Sequence, residues 1–186
     1  MTCTLNRLWK ASLLIFAVSG GANCLHAQEA AKTVAPLHEV YGSWQVACAA
    51  LAKTGDAVAT ATPLCAIAQI QLEEKTRKLA MSAEFRLDDA ARPDRLSGAL
   101  VMPFGLAVTK LFSVKSGNIR LQEVQVSTCL PVGCIVSFTP FVELVSALKA
   151  EQTLTIEAPD LEGRIISFQL QGKGFAEALK RLENLR

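Results

Sequence analysis

Apolar residues recur at every second position along most of this chain. From 79 to 87, Leu79, Met81, Ala83, Phe85 and Leu87 alternate with Ala80, Ser82, Glu84 and Arg86. That period predicts a strand with one buried face and one wet face. Trp44, Val46 and Cys48 alternate with Gln45 and Ala47. Residues 64–72 alternate as well, and place Ala66, Ala68 and Ile70 on the apolar side. The runs 112–115 and 119–121 flank Ser116-Gly117-Asn118. Glycine and asparagine tolerate positive φ, so this segment predicts a hairpin. Val124 and Val126 lead into Cys129, and further strand-like runs cover 134–138, 154–156 and 165–170.

Two segments change to a helical period. Phe141, Leu144, Val145 and Leu148 fall on one helix face. Thr139-Pro140 before them predicts a hydroxyl cap with proline at the first helical position. Phe175, Ala178, Leu179 and Leu182 repeat the spacing after Gly172 and Gly174. Many short strands, regular turns and two short helices predict an all-β fold, an immunoglobulin-like β-sandwich.

The N-terminus follows a different pattern. Arg7 and Lys10 precede an apolar stretch centred on Leu13-Leu14-Ile15-Phe16, and Leu25-His26-Ala27 offers a cleavage site. These three parts predict a cleavable secretory signal peptide over residues 1–27. The apolar run is too short to span a bilayer, which needs about 20 residues. Residues 28–40 show no strand pattern and are expected to form a flexible arm, with the β-sandwich domain over 41–186. Residues 52–63 read as an exposed loop.

Removing 27 of 186 residues leaves 159, enough for one domain with a core. The whole chain carries 19 Lys+Arg and 17 Asp+Glu, and Arg7 and Lys10 lie in the predicted signal, so the remainder balances at 17 against 17. Such a chain lacks the basic footprint of a nucleic-acid binder. Cys48, Cys65, Cys129 and Cys134 remain after the signal, an even number suited to an oxidising compartment. Four cysteines allow three pairings. The two local ones, Cys48–Cys65 and Cys129–Cys134, are favoured because each closes a short segment between neighbouring strand-like runs.

Candidate chemistry is sparse. His38 is the only histidine beyond residue 27 and lies in the expected arm, where it reads as solvent-exposed, whereas serine and cysteine hydrolases need a histidine base placed by the fold. Asp88-Asp89 reads as a strand terminator and Gly172-Lys173-Gly174 lacks the rest of a phosphate loop. Zinc and redox sites need tighter cysteine spacings than these. No catalytic residue, cofactor or metal ligand is expected. The most distinctive local feature is Cys129-Leu130-Pro131-Val132-Gly133-Cys134, in which Leu130, Pro131 and Val132 form a candidate binding loop.

Three segments carry a resemblance. Tyr41-Gly42-Ser43-Trp44-Gln45-Val46-Ala47-Cys48 resembles the opening FGDW-x3-C pattern of the invasion-associated locus B family. Cys129-Leu130-Pro131-Val132-Gly133-Cys134 resembles its C-x3-GC segment, and residues 170–179 resemble its closing SL-x-GF-x-x-AL stretch. The order is right and the matches span about residues 40–182. Ser43 stands where aspartate is common, and Lys173 adds a residue to the closing segment.

The resemblance implies an exported, cysteine-paired, mostly β protein, linked in intracellular pathogens to host-cell entry, notably into red cells. It implies no catalytic site. The expected function is therefore a non-enzymatic envelope module that binds a macromolecule of the envelope or host surface. It would have no nucleic-acid partner and no transmembrane span in the mature chain, and would be periplasmic, surface-exposed or secreted. The alternatives are a periplasmic accessory protein for envelope integrity or stress tolerance and, further off, a thiol oxidoreductase or a hydrolase.

Overall fold

The computed structural model describes residues 37–49, 64–88 and 96–185. They form eleven strands and two helices: β1 (Leu37–Tyr41), β2 (Trp44–Ala49), β3 (Leu64–Leu72), β4 (Leu79–Leu87), β5 (Leu96–Met102), β6 (Phe112–Ser116), β7 (Ile119–Val124), β8 (Thr128–Leu130), β9 (Gly133–Phe138), α1 (Val142–Lys149), β10 (Leu154–Pro159), β11 (Ile165–Leu170) and α2 (Phe175–Glu183). The strands make two antiparallel sheets, one ordered β1-β2-β3-β4-β5-β9-β8 and the other β11-β10-β6-β7. A two-sheet, mostly β fold with two short helices is what the alternation predicts. The expected signal peptide, residues 28–36 of the arm and the 52–63 loop lie outside the described residues.

Alternation explains the core. β2 buries Trp44, Val46 and Cys48; β4 buries Met81, Ala83 and Phe85; β10 buries Leu154, Ile156 and Ala158. Helix α2 lays Phe175, Ala178, Leu179 and Leu182 into the same core, against β2, β3 and β4. Phe175 meets Trp44 edge-on with ring centroids 5.0 Å apart and Phe85 at 5.4 Å. Such tilted pairs suit the ring quadrupoles.

Three local expectations are corrected. Residues 37–40, expected in the arm, form most of β1 and pair with β2 from Leu37↔Cys48 to Tyr41↔Trp44. On β3, Ile67 and Gln69 are buried and Ile70 is 55% exposed, the reverse of the expected face. The pairing to β2 decides this: Cys65 and Ile67 sit opposite Cys48 and Val46, so they share the inner face. Helix α1 begins at Val142 with Phe141 at the N-cap and no side-chain cap. The buried Gln122 on β7 takes over, accepting from Phe141 N–H and donating to the Thr139 carbonyl, each at 2.9 Å. Phe141 is consequently exposed, while Leu144, Ala147 and Leu148 face inward.

Candidate functional site

The candidate loop is the turn of the β8–β9 hairpin. Leu130 pairs with Gly133, leaving Pro131 and Val132 as a two-residue tip. Cys129 and Cys134 stand directly opposite in the ladder, with Cα atoms 3.9 Å apart, and are disulfide-bonded. The bridge therefore closes the hairpin one residue pair below the tip. Gly133 has φ 141°, and a Cβ there would stand 2.6 Å from the Met102 carbonyl oxygen. Only glycine allows β9 to approach β5 so closely at this point. Leu130 is 50% and Val132 65% exposed, and Pro131 is exposed as well. The three apolar side chains stand out from a short, cross-linked support instead of folding onto the core.

The second bridge works the same way. Cys48 and Cys65 face each other across β2 and β3, with Cα atoms 4.0 Å apart. Both disulfides are the two local pairs read from the sequence.

The opening and closing sequence motifs meet in space. The Trp44 indole N–H donates to the Gln171 carbonyl at 2.8 Å, and Ser43 N–H donates to the Lys173 carbonyl at 3.0 Å. Gly174 has φ 84°, and a Cβ there would collide with the Tyr41 carbonyl. The Gly172-Lys173-Gly174 segment is thus a backbone joint between the β1–β2 turn and α2. Gln69 completes the joint: its amide donates to the Gln171 carbonyl and its oxygen accepts from Gln171 N–H, both at 3.0 Å. The motif residues hold the fold together.

Two groups of charged side chains are held by hydrogen bonds. Arg181 on α2 donates from Nε and Nη2 to the two Glu39 oxygens at 2.7 and 2.9 Å, and the Tyr41 hydroxyl donates to Glu39 at 3.0 Å. The Arg181 hydrogen bonds hold the Glu39 carboxyl below its ordinary pKa, and Glu39 in turn raises Tyr41. Asp160 is buried, which pushes its pKa up. Hydrogen bonds from the Arg164 backbone and guanidinium and from Glu162 N–H outweigh this and bring it down. These bonds close the β10–β11 turn.

His38 lies on β1, exposed, with Nε2 2.9 Å from Gln45 Oε1. Asp88 follows β4 directly, and Asp89 lies outside the described residues. Among the described residues no three His, Cys, Asp or Glu side chains converge as a metal site. No described helix is long and apolar enough to cross a membrane. Sequence reading passed over a cleft between the inner face of β11 and the start of β4, because its apolar lining, Leu79, Phe104, Leu106, Ile166 and Phe168, comes from three separate stretches of chain.

Two antiparallel sheets, two cross-strand disulfides and a helix keyed to the first hairpin define a disulfide-stapled β protein whose distinctive exposed feature is a bridged hairpin. The model of the family described as invasion associated locus B (IalB) protein matches residues 44–183, and the chain belongs to that family. An invasion protein B homolog of Brucella abortus is 31% identical over 150 residues, 80% of each chain. Invasion protein B of Bartonella bacilliformis is 30% identical over 155 residues, covering 81% of this chain and 76% of that one. The crystal structure of invasion associated protein B from Bartonella henselae superposes with a TM-score of 0.67 at 25% identity, over 80% of this chain and 97% of that one.

Proposed function

We propose that this chain is exported by its N-terminal signal and acts as a non-enzymatic binding module in host-cell adhesion or invasion. Its partner is a macromolecule of the host surface or the bacterial envelope, and it uses no cofactor. Family membership supports the link to invasion. Two cross-strand disulfides support export, because such bonds persist in oxidising compartments. The observation that carries the binding role is the hairpin tip, where Leu130, Pro131 and Val132 expose apolar groups on a cross-linked support. Rigid presentation lowers the ordering cost of binding, and exposed apolar groups gain from being covered.

The test is binding of the labelled, oxidised protein to cultured host cells and to isolated bacterial envelopes, before and after Leu130→Ser with Val132→Ser. Both side chains are exposed, so stability should shift by no more than about 0.5 kcal/mol per site. Binding should weaken about tenfold or more, equivalent to ~1.4 kcal/mol. Unchanged binding at unchanged stability removes the hairpin tip from the account. Absence of binding to either surface overturns the binding role itself.

A further inference from the structure

We infer that the outer edge of β11 is a docking site for a short extended peptide of a partner protein, which adds as a strand and seats an apolar side chain in the adjoining cleft. This surface is separate from the hairpin tip and stands or falls independently of it.

β11 ends the smaller sheet. The direction of its backbone groups follows from its partner. Ala107 N–H donates to the Pro159 carbonyl at 2.8 Å, so Pro159 turns away from β11 and its opposite residue, Ile165, turns its own N–H and C=O outward. The alternation then sends Ser167 and Gln169 outward as well. Two glutamines of β3 cover the far end of this edge: Gln71 donates to the Gln169 carbonyl, and Gln69 bonds both backbone groups of Gln171. Among the described residues nothing covers the outward groups of Ile165 and Ser167, and both residues are exposed, Ile165 by 58%. Two donors and two acceptors in strand geometry are a template for another strand.

Beside this free stretch lies the cleft of about 470 Å³, lined by Leu79, Phe104, Leu106, Ile166 and Phe168, with Glu73 and Lys78 among its other lining residues. Phe104 is 62% exposed. Its volume falls in the range of small-ligand pockets, about 300–1,000 Å³. A strand added at Ile165 and Ser167 turns alternate side chains toward the Ile166 and Phe168 side, and so into the cleft. Strand addition of this kind takes affinity from main-chain bonds and selectivity from side-chain pockets.

The length of the free edge selects the occupant. Two residues extend roughly 7 Å at about 3.4 Å each. A second copy pairing through so short a ladder falls well below the roughly 800 Å² per partner of a stable interface. A peptide needs only the ladder and one anchoring side chain.

The probe is a blocked heptapeptide of alternating threonine and valine, titrated into the ¹⁵N-labelled oxidised protein and followed by amide shifts. Shifts should centre on Ile165–Ser167 and on the cleft residues Phe104 and Leu79. The same peptide N-methylated at alternate residues should bind at least tenfold more weakly. Ser167→Pro removes one outward N–H without touching the β10 ladder, which an edge strand tolerates, and should weaken binding about tenfold. Phe104→Ser, at an exposed residue, gives an independent arm with the same expected loss. Absent shifts, shifts confined elsewhere, or equal binding of the N-methylated peptide overturn the proposal. A chain that is already dimeric through this edge, with the Ile165 and Ser167 amides protected before peptide is added, overturns it too.

Discussion

Phe175→Ala should cost more stability than a surface change anywhere else in α2. The ring is fully buried and fills the space between Trp44 and Phe85, with centroid distances of 5.0 and 5.4 Å. Burial of a phenylalanine side chain contributes about 1.5–3 kcal/mol. Each tilted aromatic pair adds about 0.5–1.5 kcal/mol. The total, roughly 2.5–6 kcal/mol, brackets the 3–5 kcal/mol usual for Phe→Ala in a core. A loss of ~4 kcal/mol is a large part of the 5–15 kcal/mol that holds an ordinary domain folded. It should lower Tm by roughly 8–16 °C at about 2–4 °C per kcal/mol. Urea unfolding of the oxidised protein measures it, with Phe104→Ala as an exposed control expected within about 0.5 kcal/mol. A loss below ~1.5 kcal/mol for Phe175→Ala would refute the view that α2 is keyed into the large sheet through this ring.

The two disulfides should differ in worth. In the chain-entropy model the bridge with a sequence separation of 17 contributes ~3 kcal/mol and the bridge with a separation of 5 ~2 kcal/mol. Paired Cys→Ala variants compared by urea unfolding should keep that order, and the reverse order would count against it. Glu39 should make stability fall in acid. Its folded pKa lies below the ordinary glutamate value, so its contribution is complete above that value and is lost as pH drops through the lowered one. The stability gap between the wild type and Glu39→Gln, measured at pH 7 and pH 3, should therefore narrow at the lower pH. A gap that does not change would show that the Arg181 pair leaves Glu39 unperturbed.

The legible parts of this fold are those where one signal acts alone. β4 alternates cleanly from Leu79 to Leu87 and is found whole. Both disulfides follow from cysteines placed between neighbouring strand-like runs, and α2 shows its full apolar stripe. β3 misled because both of its faces carry apolar residues; pairing with β2, which no local pattern reveals, buries Ile67 and exposes Ile70. β1 escaped notice because it is a half-exposed edge strand whose polar residues have specific partners, Gln45 for His38 and Arg181 for Glu39. The cap of α1 was misplaced because Gln122, distant in sequence, does the work assigned to Thr139. The exposed hairpin was legible as a composition, Leu-Pro-Val between cysteines, while the open edge of β11 depends on which strand ends the sheet.

A binding module that meets host surfaces must be reachable from outside the cell. Protease treatment of intact bacteria expressing the full chain with a C-terminal tag, compared with bacteria whose outer membrane has been opened, measures this directly. Digestion on intact cells is the predicted result. Protection until the outer membrane is opened would contradict the adhesion role and place the protein's work inside the envelope.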